Sequence, residues 1–331
     1  LIPRSIETIL QMEPRMPPAE PTLAALPNPL LRYVLATRPP FLSVTLFAAL
    51  IGLAGAYATG VPMQPLTAIL TVVFALVAHA GVNVLNDYYD ALNGTDAINT
   101  ERVFPFTGGS RFIQNGVLTT TETAMFGATL FGATFVAGVF LTWWSGPGLL
   151  VIGATGLLIG WAYSAPPLRL NSRGLGELCV ALGFGLITVG ADYVQRSSFS
   201  WTPLIAAISY ALLVTNILYI NQFPDRAADA AVGKRHWVAR LEIRSARWGY
   251  VLIALLAYGW LVAAVSMRYL PPLTLVSLLA APLSLRAARD LLRFAAVPGR
   301  LVPAIPLSIA AAGFHGLLLA ASLALSSGPP P

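Results

Sequence analysis

Nine long apolar runs dominate this chain, and almost no charge interrupts them. They cover residues 42–60, 66–85, 121–142, 148–163, 175–194, 202–221, 247–267, 271–286 and 302–325. Most approach the roughly 20 residues that an α-helix needs to cross the hydrocarbon core of a bilayer. A soluble α/β fold with buried parallel strands would need apolar runs of only about 4 to 8 residues, separated by polar helices. That punctuation is missing here. Only 10% of residues are charged and 56% are hydrophobic, against about 25% charged in an ordinary soluble domain. The reading is an all-α, polytopic membrane bundle of about nine transmembrane helices. The runs 148–163 and 271–286 are short for a perpendicular crossing. Gly and Ala are frequent within the runs, which lets helices approach closely where no hydrophobic force drives their association.

The basic residues fall in alternate connections. Arg4, Arg15, Arg32 and Arg38 precede the first run. Arg102 and Arg111, then Arg169 and Arg173, occupy the second and fourth connections. The sixth holds Arg226, Lys234, Arg235, Arg240 and Arg244, with Arg247 at its edge. The eighth holds Arg286, Arg289, Arg293 and Arg300, while only Arg196 and Arg268 lie on the opposite side. By the positive-inside rule the N-terminus is cytoplasmic and the C-terminus outside. In a bacterium this is the plasma (inner) membrane. The formal charge of +6 then reflects topology, and nucleic acid is not an expected partner. The single cysteine, Cys179, sits in an apolar run, so no disulfide forms within the chain and thiol catalysis has no support. The first residues do not read as a cleaved signal peptide. Residues 1–37 are expected to be a proline-rich cytoplasmic segment with a short amphipathic helix near Ile6 to Met12. Residues 38–328 are expected to form the transmembrane domain.

Two acidic stretches break the pattern, both expected at cytoplasmic ends of spans. "NDYYDALNGTD" carries Asn86, Asp87, Asp90 and Asp96. "NQFPDRAADAAVGKR" carries Asn221, Asp225 and Asp229, followed by Lys234, the chain's only lysine, and Arg235. Asn86 and Asp90 are four apart, as are Asn221 and Asp225, and Asp225 and Asp229. On a helix each pair shares one face. Like charges in a low-dielectric site repel unless a cation offsets them. A set of oxygen ligands suits Mg²⁺, which takes one or two carboxylates plus phosphate oxygens and water. A diphosphate would add negative charge, so Lys234, Arg235, Arg102 and Arg111 are candidates to meet it. "TGGSR", Thr107 to Arg111, offers backbone donors. Surface carboxylates often only solvate a membrane face, but two clusters with matched amides favour a shared site.

These stretches resemble the Asn-Asp-x-x-Asp and Asp-x-x-x-Asp motifs of the UbiA superfamily of intramembrane prenyltransferases. The likeness extends over nearly the whole chain from about Arg38. Within the superfamily it resembles most the 1,4-dihydroxy-2-naphthoate polyprenyltransferase branch of menaquinone synthesis. That finer likeness rests on "NDYYDALNGTD", on "YSAPPLRLNSRGLGEL" from Tyr163 to Leu178, and on "DRAADAAVGKRHWVARL". It departs from the branch in "VFPFTGGSRFIQNGVL", "NSRGLGE" and "HWVAR".

The resemblance implies catalytic roles for Asp87, Asp90, Asp225 and Asp229. It implies a metal set of these four with Asn86, Asp96 and Asn221, holding two Mg²⁺ ions. Arg102, Arg111, Tyr163, Arg169, Lys234 and Arg235 are the implied substrate-binding residues. The implied substrates are a polyprenyl diphosphate and an aromatic acceptor, with membrane lipid around the bundle. Transfer to dihydroxynaphthoate would proceed with decarboxylation. Other acceptors, such as 4-hydroxybenzoate or homogentisate, are alternatives, and so is a non-catalytic transporter of an anionic substrate.

Tyr163 also fits an interfacial anchor, and Arg169 and Arg173 fit topology determinants. Glu177 opens an apolar run and needs a partner if buried. His79 in the second span is expected to serve structure, His236 flanks the basic turn, and His315 lies far from both motifs. No histidine pair forms a zinc pattern. Trp143 and Trp144 match an interfacial belt.

Overall fold

A computed structural model describes residues 19–326, so the segment expected as a helix near Ile6 to Met12 lies outside the described residues. After a short helix α1 (Pro29–Ala36) come the long rods α2 (Pro39–Ala58), α3 (Pro65–Asn93) and α4 (Thr120–Ser145). Next are α5 (Gly148–Ser164), α6 (Gly176–Arg196) and α7 (Trp201–Ala231). The chain closes with α8 (Ile243–Ser266), α9 (Ala281–Phe294) and α10 (Ala304–Leu325). Among the described residues, seven helices are long and apolar enough to cross a membrane, and α5 is a shorter apolar helix. The protein is an integral membrane helical bundle.

Local chemistry sets the helix ends. Proline stands in the first turn of α1, α2, α3 and α9, where its missing N–H costs nothing. Thr119 and Glu122 form a reciprocal cap on α4: the Thr119 hydroxyl accepts from the Glu122 amide at 3.1 Å, and the Glu122 carboxylate accepts from the Thr119 amide at 2.7 Å. Gly94, at φ 81°, ends α3 in the left-handed region.

Three expectations need correction. The second span does not stop near residue 85. Helix α3 continues to Asn93, so Asn86, Asp87 and Asp90 lie within it, near its end. The sixth span likewise runs on as α7 to Ala231, carrying Asn221, Asp225 and Asp229 inside the helix. Hydropathy falls at the first carboxylate, but backbone hydrogen bonding does not. The third correction concerns residues 271–286. There the chain forms a 3₁₀ stretch, Pro272–Ala280, that leads into α9. Pro282 has no N–H to continue a ladder, so a new helix starts around it. Helix α9 is amphipathic: Ala287, Ala288 and Leu291 are buried beside Arg286, Arg289 and Arg293.

Helix α7 is the most buried of the seven long apolar helices. It touches α2, α6, α8 and α10, and 72% of its apolar window is buried. The main core joins Ile51, Phe184, Tyr210, Leu213, Leu261 and Leu319 from five helices. Small residues let α2 meet α6: a Cβ at Gly52 would lie 2.1 Å from the Thr188 carbonyl oxygen. The chain before α1 docks on the connection that follows α3. Leu26 packs there with Phe112, Val117 and Leu118. Glu20 accepts from Arg102 Nε at 2.6 Å and from Asn115 Nδ2 at 3.1 Å, with Arg111 Nε at 3.5 Å.

Gly52→Ala is expected to lower stability by about 3 kcal/mol, the upper range for overpacking, because a backbone atom blocks the new methyl. Gly132→Ala, whose Cβ meets open space, should leave thermal unfolding in detergent nearly unchanged. Burial pushes the Glu20 carboxyl up, but the hydrogen bonds from Arg102 and Asn115 outweigh it and hold the carboxyl below its usual range. Its contribution to docking is therefore present above about pH 4.5 and is lost as pH falls through the depressed folded value. Hydrogen exchange at the Leu26 amide should show that loss, whereas Glu20→Gln should exchange faster at neutral pH and lack this dependence.

Candidate active site

The left-handed turn at Gly94 reverses the chain after α3 and places Asp96 on a single helical turn, Thr95–Ile98, beside Asp87 and Asp90. The α3 end is held by its own amides. Asn86 Nδ2 donates to Asp90 Oδ2 at 3.1 Å and to Ser164 Oγ at 3.0 Å. Asn93 Nδ2 donates to Asp90 Oδ1 at 3.1 Å.

The "TGGSR" segment then passes directly over the carboxylates. Gly109, at φ +72°, sits so close that a Cβ would lie 2.3 Å from Asp96 Oδ2 and 3.2 Å from Asp87 Oδ1. Only glycine fits there in both space and conformation. The Ser110 amide donates to Asp87 Oδ2 at 3.2 Å, so this segment does supply a backbone donor.

Helix α7 brings the second motif to the same place. Asn99 Nδ2 donates to Asp225 Oδ1 at 2.6 Å, tying the connection after α3 to α7. The turn at Gly233, φ +81°, folds Lys234 back. The Lys234 amide donates to the Asp229 carbonyl at 2.9 Å. Its ammonium lies 2.7 Å from Asp90 Oδ1 and 3.2 Å from Asp229 Oδ1, one carboxylate from each motif. His236 Nε2 meets Asp229 Oδ2 at 3.0 Å. Burial alone would pull the Lys234 ammonium toward deprotonation, but Asp90 and Asp229 outweigh it and raise its pKa above the usual lysine range. Asp96 is pushed well above the usual carboxylate range, first by burial and then by the charges of Asp90 and Asp87.

A cavity of about 450 Å³ opens at these groups and runs between α2, α3, α4, α5, α6 and α7. Asn86, Asp90 and Asp96 line one side of its mouth; Asn221, Asp225 and Asp229 line the other. Lys234 and Tyr163 also face it. Its far wall is apolar and reaches Leu149 and Val194. Asp87 stands just behind the wall, buried to 4% exposure.

Four implied substrate-binding residues are elsewhere. Arg102 and Arg111 turn to Glu20 and to the carbonyls of Asn99 and Asp96, bracing the connection. Arg169 and Arg235 are exposed and do not line the cavity. Glu177 has its expected partner, accepting from Gln222 Nε2 at 2.9 Å.

Sequence reasoning counted Arg38 only as a topology residue. It begins α2 at φ 59°, donates to the Phe106 carbonyl at 2.9 Å and places Nη1 4.0 Å from Asp87 Oδ1. Its only signal in sequence is its position before the Pro39-Pro40 helix start. Asn99 carried no signal, because its partner lies on a distant helix.

Buried Asp87 Oδ1, Asp96 Oδ2 and Asn221 Oδ1 lack a hydrogen-bond partner among the described residues, and Asp229 Oδ1 has only the Lys234 ammonium at 3.2 Å. Unpartnered buried carboxylate oxygens are costly. No group of three or more His, Cys, Asp or Glu side chains among the described residues is gathered into a closed metal site. The donors fit a hard cation that takes one or two protein carboxylates and completes its shell with other oxygens.

Comparison with known proteins places this geometry. Residues 45–296 match the model of the UbiA prenyltransferase family. The chain is 33% identical over 225 residues to the 1,4-dihydroxy-2-naphthoate octaprenyltransferase of Mycobacterium leprae, covering 67% of this chain and 72% of that protein. It is 30% identical over 267 residues to the enzyme of the same name from Escherichia coli, covering 77% and 83%. Among solved structures, a UbiA homolog from Aeropyrum pernix superposes with a TM-score of 0.60 at 19% identity, covering 85% of this chain and 97% of that one. A UbiA homolog from Archaeoglobus fulgidus bound to GPP and Mg²⁺ superposes with a TM-score of 0.59 at 13% identity, covering 87% and 99%. With its bundle, its two acidic motifs and this match over most of its length, the chain belongs to the UbiA prenyltransferase family and is a membrane-embedded prenyltransferase.

Proposed function

We propose that this enzyme transfers a polyprenyl group from a polyprenyl diphosphate to 1,4-dihydroxy-2-naphthoate, with loss of carbon dioxide, in menaquinone synthesis. One observation carries the site assignment: Lys234 spans Asp90 and Asp229, so both acidic motifs lie within reach of one cationic group. The acceptor reading draws on relatives named as 1,4-dihydroxy-2-naphthoate octaprenyltransferases in several bacteria. The Mg²⁺ reading draws on the unpartnered oxygens and on the A. fulgidus homolog bound to Mg²⁺.

Asp87, Asp90 and Asp96 with Asn86 would hold cation on the α3 side, and Asn221, Asp225 and Asp229 on the α7 side, two ions in all. Bound Mg²⁺ would neutralise the diphosphate and favour its departure. Lys234, already charged and buried between the motifs, supplies a further positive group at the leaving diphosphate. The allylic C–O bond breaks with its electron pair going to diphosphate. The electron-rich ring forms the new C–C bond, and its carboxylate departs as carbon dioxide, its C–C bonding pair returning to the ring so that aromaticity is restored with no net proton gained or lost. The apolar walls shield the allylic cation from water and accept the polyprenyl tail. The active site faces the cytoplasm, as the distribution of basic residues predicts. Tyr163 lines the mouth of the cavity. Arg102 and Arg111 contribute by fixing the connection over Asp87 and Asp96.

Purified protein given Mg²⁺, a polyprenyl diphosphate and a panel of aromatic acids should yield a decarboxylated prenylnaphthoquinol, identified by product mass. Transfer to 4-hydroxybenzoate or homogentisate instead would reassign the acceptor. Asp87→Ala and Asp225→Ala should each lower turnover by at least about 100-fold while the folded protein persists. Lys234→Met should cost about 3–5 kcal/mol, the range for breaking a buried ion pair. Adding Mg²⁺ should then raise the melting temperature of this variant more than that of the wild type.

A further inference from the structure

The second span carries a polar stripe into the apolar part of the cavity. His79, Asn83, Asn86 and Asp90 recur at helical spacing on α3, and all four line the cavity. Asn86 and Asp90 belong to the acidic mouth. Asn83 is spent on the link between α1 and α2, donating to the Thr37 carbonyl at 3.0 Å. His79 is the innermost member, about 10 Å further along the helix from Asn86.

A second histidine shows what a purely structural imidazole looks like here. His315 is fully buried and away from the cavity. Its Nε2 meets Ser209 Oγ at 2.7 Å and its Nδ1 meets the Ser277 carbonyl at 3.2 Å, so both nitrogens are used. His79 uses only one. Its Nδ1 meets Thr45 Oγ1 at 2.7 Å, which fixes the ring against α2, and Phe184 packs edge-on at 5.4 Å. Its Nε2 has no hydrogen-bond partner among the described residues, and the ring borders the cavity. Whichever nitrogen carries the proton, Nε2 offers a donor or an acceptor to whatever occupies that space. A hydrocarbon tail cannot satisfy it. A ring hydroxyl can act as either partner.

We propose that His79 binds the acceptor by a hydrogen bond from Nε2 to a hydroxyl on the acceptor's aromatic ring. This places the acceptor beside α2 and α3, with Phe41 and Phe184 of α6 among its walls, and leaves the α4–α5 side to the polyprenyl chain. The imidazole thereby orients the ring toward the allylic carbon held at the acidic mouth. The assignment rests on the aromatic-acceptor reading above.

The test combines His79→Leu and His79→Gln with the preferred aromatic acid and its mono-O-methyl ethers. His79→Leu should raise the acceptor KM roughly tenfold, the worth of one hydrogen bond, while the polyprenyl diphosphate KM stays unchanged. His79→Gln should recover most of the loss. Methylating the contacted hydroxyl should penalise the wild type and leave His79→Leu indifferent, a coupling that reduced stability alone would not produce. An unchanged acceptor KM in His79→Leu overturns the inference while the acceptor reading stands. So does a parallel rise in both KM values together with a lowered melting temperature. Failure of the wild type to prenylate any aromatic acid overturns the acceptor reading and this inference with it.

Discussion

Asp90 and Asp229 come from helices far apart in sequence and meet where water is largely excluded, and the Lys234 ammonium stands between them. Without a positive group there, two carboxylates in a low-dielectric pocket would repel strongly. The chain supplies one lysine in all, and it supplies it at this point. The rest of the mouth is arranged around the same problem. The Ser110 amide, the Asn99 amide group and His236 each meet one carboxylate, and together they serve both motifs. The oxygens still unpartnered are those a hard cation would use.

That concentration of charge requires a stiff frame, which the apolar half provides. Tyr210 and Tyr250 are fully buried with their hydroxyls satisfied by the Val44 carbonyl and by Ser308. Gly52 lets α2 and α6 touch backbone to backbone. The frame is one-sided: α7 is mostly buried, whereas only 17% of the apolar windows of α3 and α4 is covered by protein. The cavity lies among these less covered rods.

Much of this was legible in the sequence because membrane burial leaves long, unambiguous runs and because carboxylates four apart must share a helix face. Where the structure departs from hydropathy and charge pattern, the reasons are specific. The apolar runs stop at residues 85 and 221, where hydropathy falls, yet a helix ends where its backbone ladder ends, at Gly94 and near Gly233. The eighth run looked continuous by hydropathy, yet Pro271, Pro272 and Pro282 break its ladder into a 3₁₀ stretch and an amphipathic helix. Arg102 and Arg111 read as anion binders because their charge was visible and Glu20's position was not. Arg38 and His79 could not be placed by pattern, since what matters is the Nη1 that Arg38 sets 4.0 Å from Asp87 and the Nε2 that His79 leaves free beside the cavity.

The placement of polar groups along the cavity divides the labour of the proposed reaction. Charge is confined to the mouth, where two helix ends and a glycine-rich segment enclose it. Beyond it the walls are mostly apolar, the α3 stripe apart. An allylic cation formed at the mouth would meet water on the open side and a π-system on the inner side. Rate and fidelity then depend on the ring arriving first and facing the cation. A site that relied on the acidic mouth alone could ionise the donor without directing the product. A polar group deeper in the cavity, anchored through Thr45 to a neighbouring helix, separates ring orientation from leaving-group chemistry. Substitutions at the mouth should therefore act on turnover, and substitutions at His79 on the handling of the acceptor.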